Sequence, residues 1–488
     1  MTRPQGGRSQ AFRSLLATVG AAVLALLGGC AGPPPPPLVT AAASQGAAVF
    51  EHAGVLDVRS GEVRPDQDVM VRDGLIAEVG ASGSFAIPAE AARIDGRGAT
   101  LIPGLIDSHG HVANGSAPTW MGEFPDPDRN LQAYLFAGVT TVLDPADLAP
   151  DAFERRDAVR SGALLGPNIH AAGPMLTSVG GHPLPVLDEL APWWIRWYVR
   201  SHAVRPLESD EDVNAAIREL AEAKADFVKI AVDRIPQAAP RLEQALASAV
   251  VSAAHERGLR VVAHVGTLDD ALVAGSAGVD AFMHMVYKEP LDAAGAAKIA
   301  AFGKPVVATM GVFESYALLG RRERKPTPLE RATVTPEILA AFDRVPSGAV
   351  SKPFEEYFEL LRSNREAWRQ NIRFLRMAGT TILVGSDCQS GVFPGAGLHR
   401  EMALLVEAGM TPAEVLRAAT LDAASFLEKT DDPSFGIVSP GKRADLVLVD
   451  DNPVFDITAT ERIRTVMKAG VVLDRHPLVQ AAAEPEND

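Results

Sequence analysis

Cysteine is nearly absent. Cys30 and Cys388 are the only two in 488 residues. A framework of several disulfides is excluded, so the fold has to rest on a buried core. Positive charge is also scarce. Lys and Arg number 46 against 61 Asp and Glu, leaving a formal net charge of −15 with no basic run. That balance argues against nucleic acid as a partner. It speaks to solubility and not to fold. The apolar run from Leu15 to Leu27 is too short to cross a bilayer comfortably. No internal repeat appears beyond an alternation of strand and helix signals. What is present is globular composition, 47% hydrophobic and 22% charged. That is enough for one large domain plus a small one.

Arg3, Arg8 and Arg13 precede the apolar run, which marks a processing segment. It closes on Leu27-Gly28-Gly29-Cys30, which resembles a bacterial lipobox. A plain secretory signal with an incidental cysteine is the alternative. The resemblance implies that residues 1–29 are removed and that the Cys30 thiol takes a lipid. Cys388 is then left without a partner, and no internal disulfide is expected. Ala31 instead of Asp after the cysteine implies, by the same resemblance, export to the outer membrane, facing the periplasm. Residues 30–47 read as a Pro/Ala-rich linker, in which Pro33 to Pro37 form a stiff spacer. Residues 477–488 read as a disordered tail.

Residues 48–102 show short strands and glycine turns, with a hairpin signal at Asp73-Gly74. From Pro103 onward, short apolar strands alternate with helical stretches. Eight strands are expected, at 104–111, 139–144, 168–173, 227–232, 260–265, 281–285, 305–310 and 381–387. The fold class is therefore α/β, a (β/α)8 TIM barrel over 103–434. Two helices should follow the eighth strand. Residues 48–102 and 435–476 should combine into a small flanking β-sandwich. The stretches 174–208 and 311–370 fall outside the repeat and should overlie the active-site mouth.

The run PGLIDSHGH ends in His109 and His111. In a strand, residues i and i+2 share a face, so two imidazoles would aim at one point. Imidazole is the commonest metal ligand among side chains. Lys229, His264, His284 and Asp387 fall at or near the ends of later expected strands, where barrel enzymes build their sites. Taken singly, His264 and His284 also fit hydrogen-bonded core histidines, and Asp387 fits a turn or cap residue. Lys229 is the odd one, because a buried lysine must be neutralised, paired or modified. Convergence of all six on one mouth points to a metal-assisted site.

The pieces PGLIDSHGH, VKI, VVAHV, FMHM and VGSD, in that order, resemble the amidohydrolase superfamily. The flanks GLIAEVG, AGMTPAEVLRAAT and GIVSPGKRADLVLVD match it too. The resemblance covers about residues 48–475 and is nearest to imidazolonepropionase-related and prolidase-like members. It implies that His109, His111 and Asp387 hold a first metal and that His264 and His284 hold a second. Lys229, carbamylated, would bridge them. The implied cofactor is zinc, two ions per chain, with other divalent metals open. The implied chemistry is hydrolysis of a carbon–nitrogen bond by a hydroxide bridging the metals, with Asp387 as the base. VKIAVDR lacks the glycines that often follow this lysine in prolidase-like members.

His182, in a TSVGGHP motif similar to one in the same members, is the substrate-side candidate for an oxyanion or a carboxylate. His170 and Tyr287 have less support. Trp193, Trp194 and Trp197 read either as an apolar lid or as packing. Cys388 reads as a small packing residue, with competition for a metal as the alternative. The expected substrate is a small amide, dipeptide or N-acyl amino acid. Dipeptidase or carboxypeptidase activity and esterase, lactonase or phosphotriesterase chemistry stay open, because fold does not fix substrate. A mononuclear deaminase and a surface-anchored binding lipoprotein are the more distant readings.

Overall fold

The structure is a computed structural model that describes residues 36–42, 46–115, 117–321, 323 and 325–478. The expected signal segment, the Cys30 expected to carry a lipid, most of the proline run and residues 479–488 lie outside the described residues. No helix of the described residues is long and apolar enough to cross a membrane.

The central layer consists of ten short strands in parallel pairing. They are β1 (Leu105–Asp107), β2 (Val139–Asp144), β3 (Asn168–Ala171), β4 (Met175–Ser178), β5 (Val204–Leu207), β6 (Phe227–Ala231), β7 (Arg260–His264), β8 (Ala281–Met283), β9 (Val306–Ala308) and β10 (Ile382–Val384). Eight of them answer the eight expected strands. β4 and β5 arise within the stretch left outside the repeat. The expected closed ring is not what the backbone ladders form. They fall into a three-stranded sheet, β1-β2-β3, and a seven-stranded sheet, β5-β4-β6-β7-β8-β9-β10. β4 takes the edge of β6, with Leu176 opposite Ile230, which leaves β3 without a ladder there. Among the described residues one backbone bond, Asp226 N–H to Ala171 O at 2.9 Å, spans that seam, beside Ala171 N–H donating to the Asp226 carboxylate at 3.0 Å. At the other seam Ser108 N–H donates to Val384 O, also at 2.9 Å.

Helices lie between most of these strands. The pattern DEDVNAAIRELAEAK forms the helix Asp210–Glu222, started by Ser209, whose side chain accepts from Asp212 N–H. RLEQALASAVVSAAHERG forms Gln244–His255. After β10 the chain makes three helices instead of two: Ala396–Glu407, Pro412–Ala418 and Leu421–Glu428. The break falls at Thr420, which sits outside helical geometry with ψ −89°.

The flanking strands pair into one nine-stranded sheet. Leu446–Asp450 pairs antiparallel with Ala99–Pro103. That pairing joins the early and late segments edge to edge, so a single sheet runs through both. The hairpin at Asp73-Gly74 is present, with φ +52° and +77°, as a two-residue turn with two left-handed residues requires. The expected linker is shorter than 30–47, because Val39–Ala41 forms an edge strand on Val471–Arg475. Phe50, Val55, Val69, Leu101, Leu448 and Met467 give this sheet its own apolar cluster.

A separate cluster fills the space inside the central strands. Ile106, Leu143, Phe227, Val262, Met283, Val307 and Leu383 meet there, over Ala424 and Leu427 of a C-terminal helix. Arg260 lies 4.2 Å from the Phe227 ring and donates to Leu427 O. Burying each such side chain contributes about 2 kcal/mol. The N-terminal end of the strands is thereby sealed. Polar chemistry is left to the C-terminal end.

Candidate metal centre

Strand alternation aims two of the predicted residues inward. In β6, Phe227 and Lys229 share a face, and Phe227 belongs to the inner cluster. In β7, His264 shares a face with Val262 of the same cluster. The remaining residues lie beyond their strands, and backbone turns do the aiming. β1 ends at Asp107, so His109 and His111 occupy the following turn and not the strand. His284 follows β8 with φ +81°, and Asp387 follows β10 with φ +48°. Such left-handed positions are uncommon for residues with a Cβ and gather at functional sites. Gly385 is required here, because a Cβ on it would stand 2.6 Å from the His109 Cβ.

The result is one buried constellation. His109, His284 and Asp387 each offer a ligand atom, and these atoms all lie within 4.8 Å of one another. His111 Nε2 is 2.9 Å from Asp387 Oδ1. His264 Nδ1 is 2.9 Å from His284 Nε2. Lys229 is fully buried, and its Nζ has no hydrogen-bond partner among the described residues. Burial holds its pKa down to about 7, with the Asp387 charge opposing. His109 Nδ1 is also buried without a partner. His182 lies beside the group, its ring 4.5 Å from that of His264 and its Nδ1 unpartnered.

Electrostatics divide the histidines. Burial, then the Lys229 charge and neighbouring imidazoles, keep the His109 pKa well below the ordinary histidine range. Burial, then His264 and Lys229, do the same to His284. His264 is lowered by burial against the pull of Asp233. His111 goes the other way. Burial would lower it, but Asp144 and Asp387 outweigh that and raise it to about 10.

Several supporting groups were not foreseen. Asp233 is buried and lies 3.1 Å from His264 Nε2. Thr309 Oγ1 lies 2.6 Å from His284 Nδ1. Ala146 O and Asp144 lie beside His111 Nδ1. Asp107 accepts from His109 N–H, Ser386 N–H and the Ser386 hydroxyl, clasping the turns after β1 and β10. Its burial raises its pKa to about 6. A carboxylate two residues past a strand end was the available signal for Asp233.

The remaining candidates are placed as follows. Tyr287 donates to Asp233 instead of standing free. His170 sits among Asp226, Arg260 and Arg443, residues at the sealed end, and so lies away from the constellation. The Cys388 thiol donates to His111 O and meets the Tyr134 hydroxyl, and burial raises its pKa. It serves the His111 backbone and lies outside the donor group. Trp193, Trp194 and Trp197 are exposed instead of packed, and Trp194 meets Phe124 edge-on at 5.9 Å.

The donor set fits a divalent cation. Clustered imidazoles and a carboxylate are what such an ion takes up. The sequence profile of the amidohydrolase family matches residues 100–473. The chain belongs to the amidohydrolase family. It is thus a metal-dependent hydrolase acting on carbon–nitrogen bonds. This amidohydrolase is 25% identical to the ochratoxinase of Aspergillus niger over 443 residues, covering 85% of this chain and 84% of that one. It is 27% identical to the imidazolonepropionase of Salinispora arenicola over 427 residues, covering 85% and 92%. Among solved structures it resembles a Xaa-Pro dipeptidase with bound methionine in the active site. There the TM-score is 0.70 at 24% identity, over 87% of this chain and 99% of that one.

Proposed function

We propose that this amidohydrolase cleaves an amide or peptide-like bond of a small substrate at a binuclear centre. His109, His111 and Asp387 would hold one metal. His264 and His284 would hold the other, and a carbamylated Lys229 would be shared between them. The observation that carries this reading is the Lys229 amine, buried without a partner beside the imidazoles and held near pKa 7. A neutral amine adds CO₂ and releases a proton. The product is an anion, which resolves the burial of the lysine. We read the two parallel sheets as a (β/α)8 TIM barrel with two seams, and the nine-stranded sheet as the flanking β-sandwich.

Zinc suits these ligands, with other divalent metals open, and such ions supply Lewis acidity and lower the pKa of water toward ~7. The chain's own groups do the rest. Asp387, to whose Oδ1 the Gln389 side-chain amide donates at 3.1 Å, takes a proton from the attacking water and delivers it to the leaving nitrogen. His182, with Nδ1 unpartnered, donates to the developing oxyanion or to a substrate carboxylate. Its burial holds it neutral, so it acts as a hydrogen-bond donor and not as a cation.

The dipeptidase neighbour makes dipeptides the first substrates to test, followed by N-acyl amino acids. Wild-type protein loaded with zinc and bicarbonate should hydrolyse at least one of them and lose that activity with a chelator. Tight binding of such compounds without turnover under any metal would favour the binding-lipoprotein reading. We also propose that the protein is exported and anchored through a lipid on Cys30 at the outer membrane, facing the periplasm. Labelling by a fatty-acid analogue, abolished in Cys30→Ser, tests that.

A further inference from the structure

We propose that Asp233 is the positioning residue that fixes which nitrogen His264 turns toward the centre. The proposal rests on His264 being a metal ligand, as argued above. Asp233 lies two residues beyond β6 and is 1% exposed. Its two oxygens are divided. Oδ1 accepts from Lys288 Nζ at 2.5 Å. Oδ2 accepts from the Tyr287 hydroxyl and lies 3.1 Å from His264 Nε2.

The proton inventory follows from these contacts. An ammonium and a phenol already donate to this carboxylate, so it is ionised and only accepts. The hydrogen bond to His264 therefore requires the proton on His264 Nε2. With Nε2 protonated, Nδ1 is the ring atom left to bind a metal, and it is Nδ1 that stands 2.9 Å from His284 Nε2. Metal-ligating histidines commonly donate their other N–H to such a partner, which sets tautomer and ring orientation. Asp233 is held from two further directions. Lys288 also donates to Arg234 O, and Tyr357 donates to Tyr287. The loop after β6 and the loop after β8 are thus buckled together behind one ligand.

The competing account is that Asp233 only neutralises buried Lys288. Two variants separate the accounts. In Asp233→Asn the amide oxygen is drawn to Lys288 and its NH₂ faces His264, which favours the wrong tautomer. In Asp233→Ala with Lys288→Met, the buried charge is gone, yet His264 still lacks its carboxylate. Metal affinity is read by chelator competition, equivalent by equivalent. The tautomer of His264 is read by nitrogen NMR on metal-free protein.

We expect the Nε2–H tautomer in the wild type and roughly 10–100-fold weaker binding of one metal equivalent in both variants. The other equivalent should stay within ~3-fold of wild type. Restored affinity in the double variant, unchanged affinity in Asp233→Asn, or an Nδ1–H tautomer in the wild type would each overturn the proposal. The wild-type tautomer needs no variant to fold. It also decides the matter if wild-type protein takes up no metal, a result that would sink the binuclear reading separately.

Discussion

The two halves of the constellation are built differently. On one side His111 is paired with Asp387 and Asp144, and its pKa rises to about 10. On the other, His264 and His284 are lowered and are backed by Asp233 and Thr309. One half carries a proton that a metal must displace. The other holds imidazoles that burial keeps neutral. Metal ligation demands neutral imidazole, so under the proposed function the His264–His284 half would load without losing an imidazolium proton, and the His111 half would load at the expense of one. Lys229, with no partner in either half, stands to be claimed by both.

Removing Lys229 should have the largest effect. In Lys229→Met, kcat/KM should fall at least as far as the ~10⁴-fold that one acid–base group can supply, because the ligand shared by both metals would be lost. The metal-free protein should melt higher, because an unpaired buried amine is gone. Retained activity would show that nothing bridges the halves. Asp387→Asn comes next. Metal content should persist while kcat falls by roughly 10²–10⁴-fold, as elemental analysis and steady-state kinetics on the same sample would reveal.

The proton difference sharpens the comparison further. At pH 8, calorimetry in buffers of different ionisation enthalpy should count about one proton fewer released on metal uptake by His111→Gln than by wild type. Equal counts would mean that His111 is not charged. Thr309→Val should weaken one metal equivalent by roughly 10-fold, the low end for a lost outer partner.

The smallest effect lies outside the centre. Burial raises the Glu401 pKa to about 8, despite bonds from the Met310 and Gly311 backbone. A raised folded-state pKa gives stability that is fully present below the unfolded value, ~4.3. It is lost as pH rises through 8. The melting temperature of Glu401→Gln relative to wild type should therefore climb between pH 5 and 9. A constant gap would contradict this sign.

What could be read from the sequence follows the same division. Residue types with few bland uses in a strand were legible. Lys229 is one, and the histidines with Asp387 are identifiable together by their places at strand ends. Strand periodicity located eight parallel strands because each is a short apolar run. It missed β4 and β5, since the sequence 174–208 is dense in proline and tryptophan and pairs through long-range context. That detour is also why the ladder breaks between β3 and β6. The support behind the clustered histidines was not legible. Asp233, Thr309 and Asp107 look like ordinary loop or strand-end polar residues until the fold brings them within hydrogen-bond reach. The strand argument for His109 and His111 aimed them by the pleat, whereas the strand ends at Asp107 and a turn directs them.

The most direct test is metal content per chain, measured by elemental analysis of protein grown with zinc and bicarbonate. The account predicts about two equivalents, falling to about one or none in Lys229→Met. One equivalent in the wild type, unchanged by that substitution, would contradict a shared lysine and with it the binuclear centre.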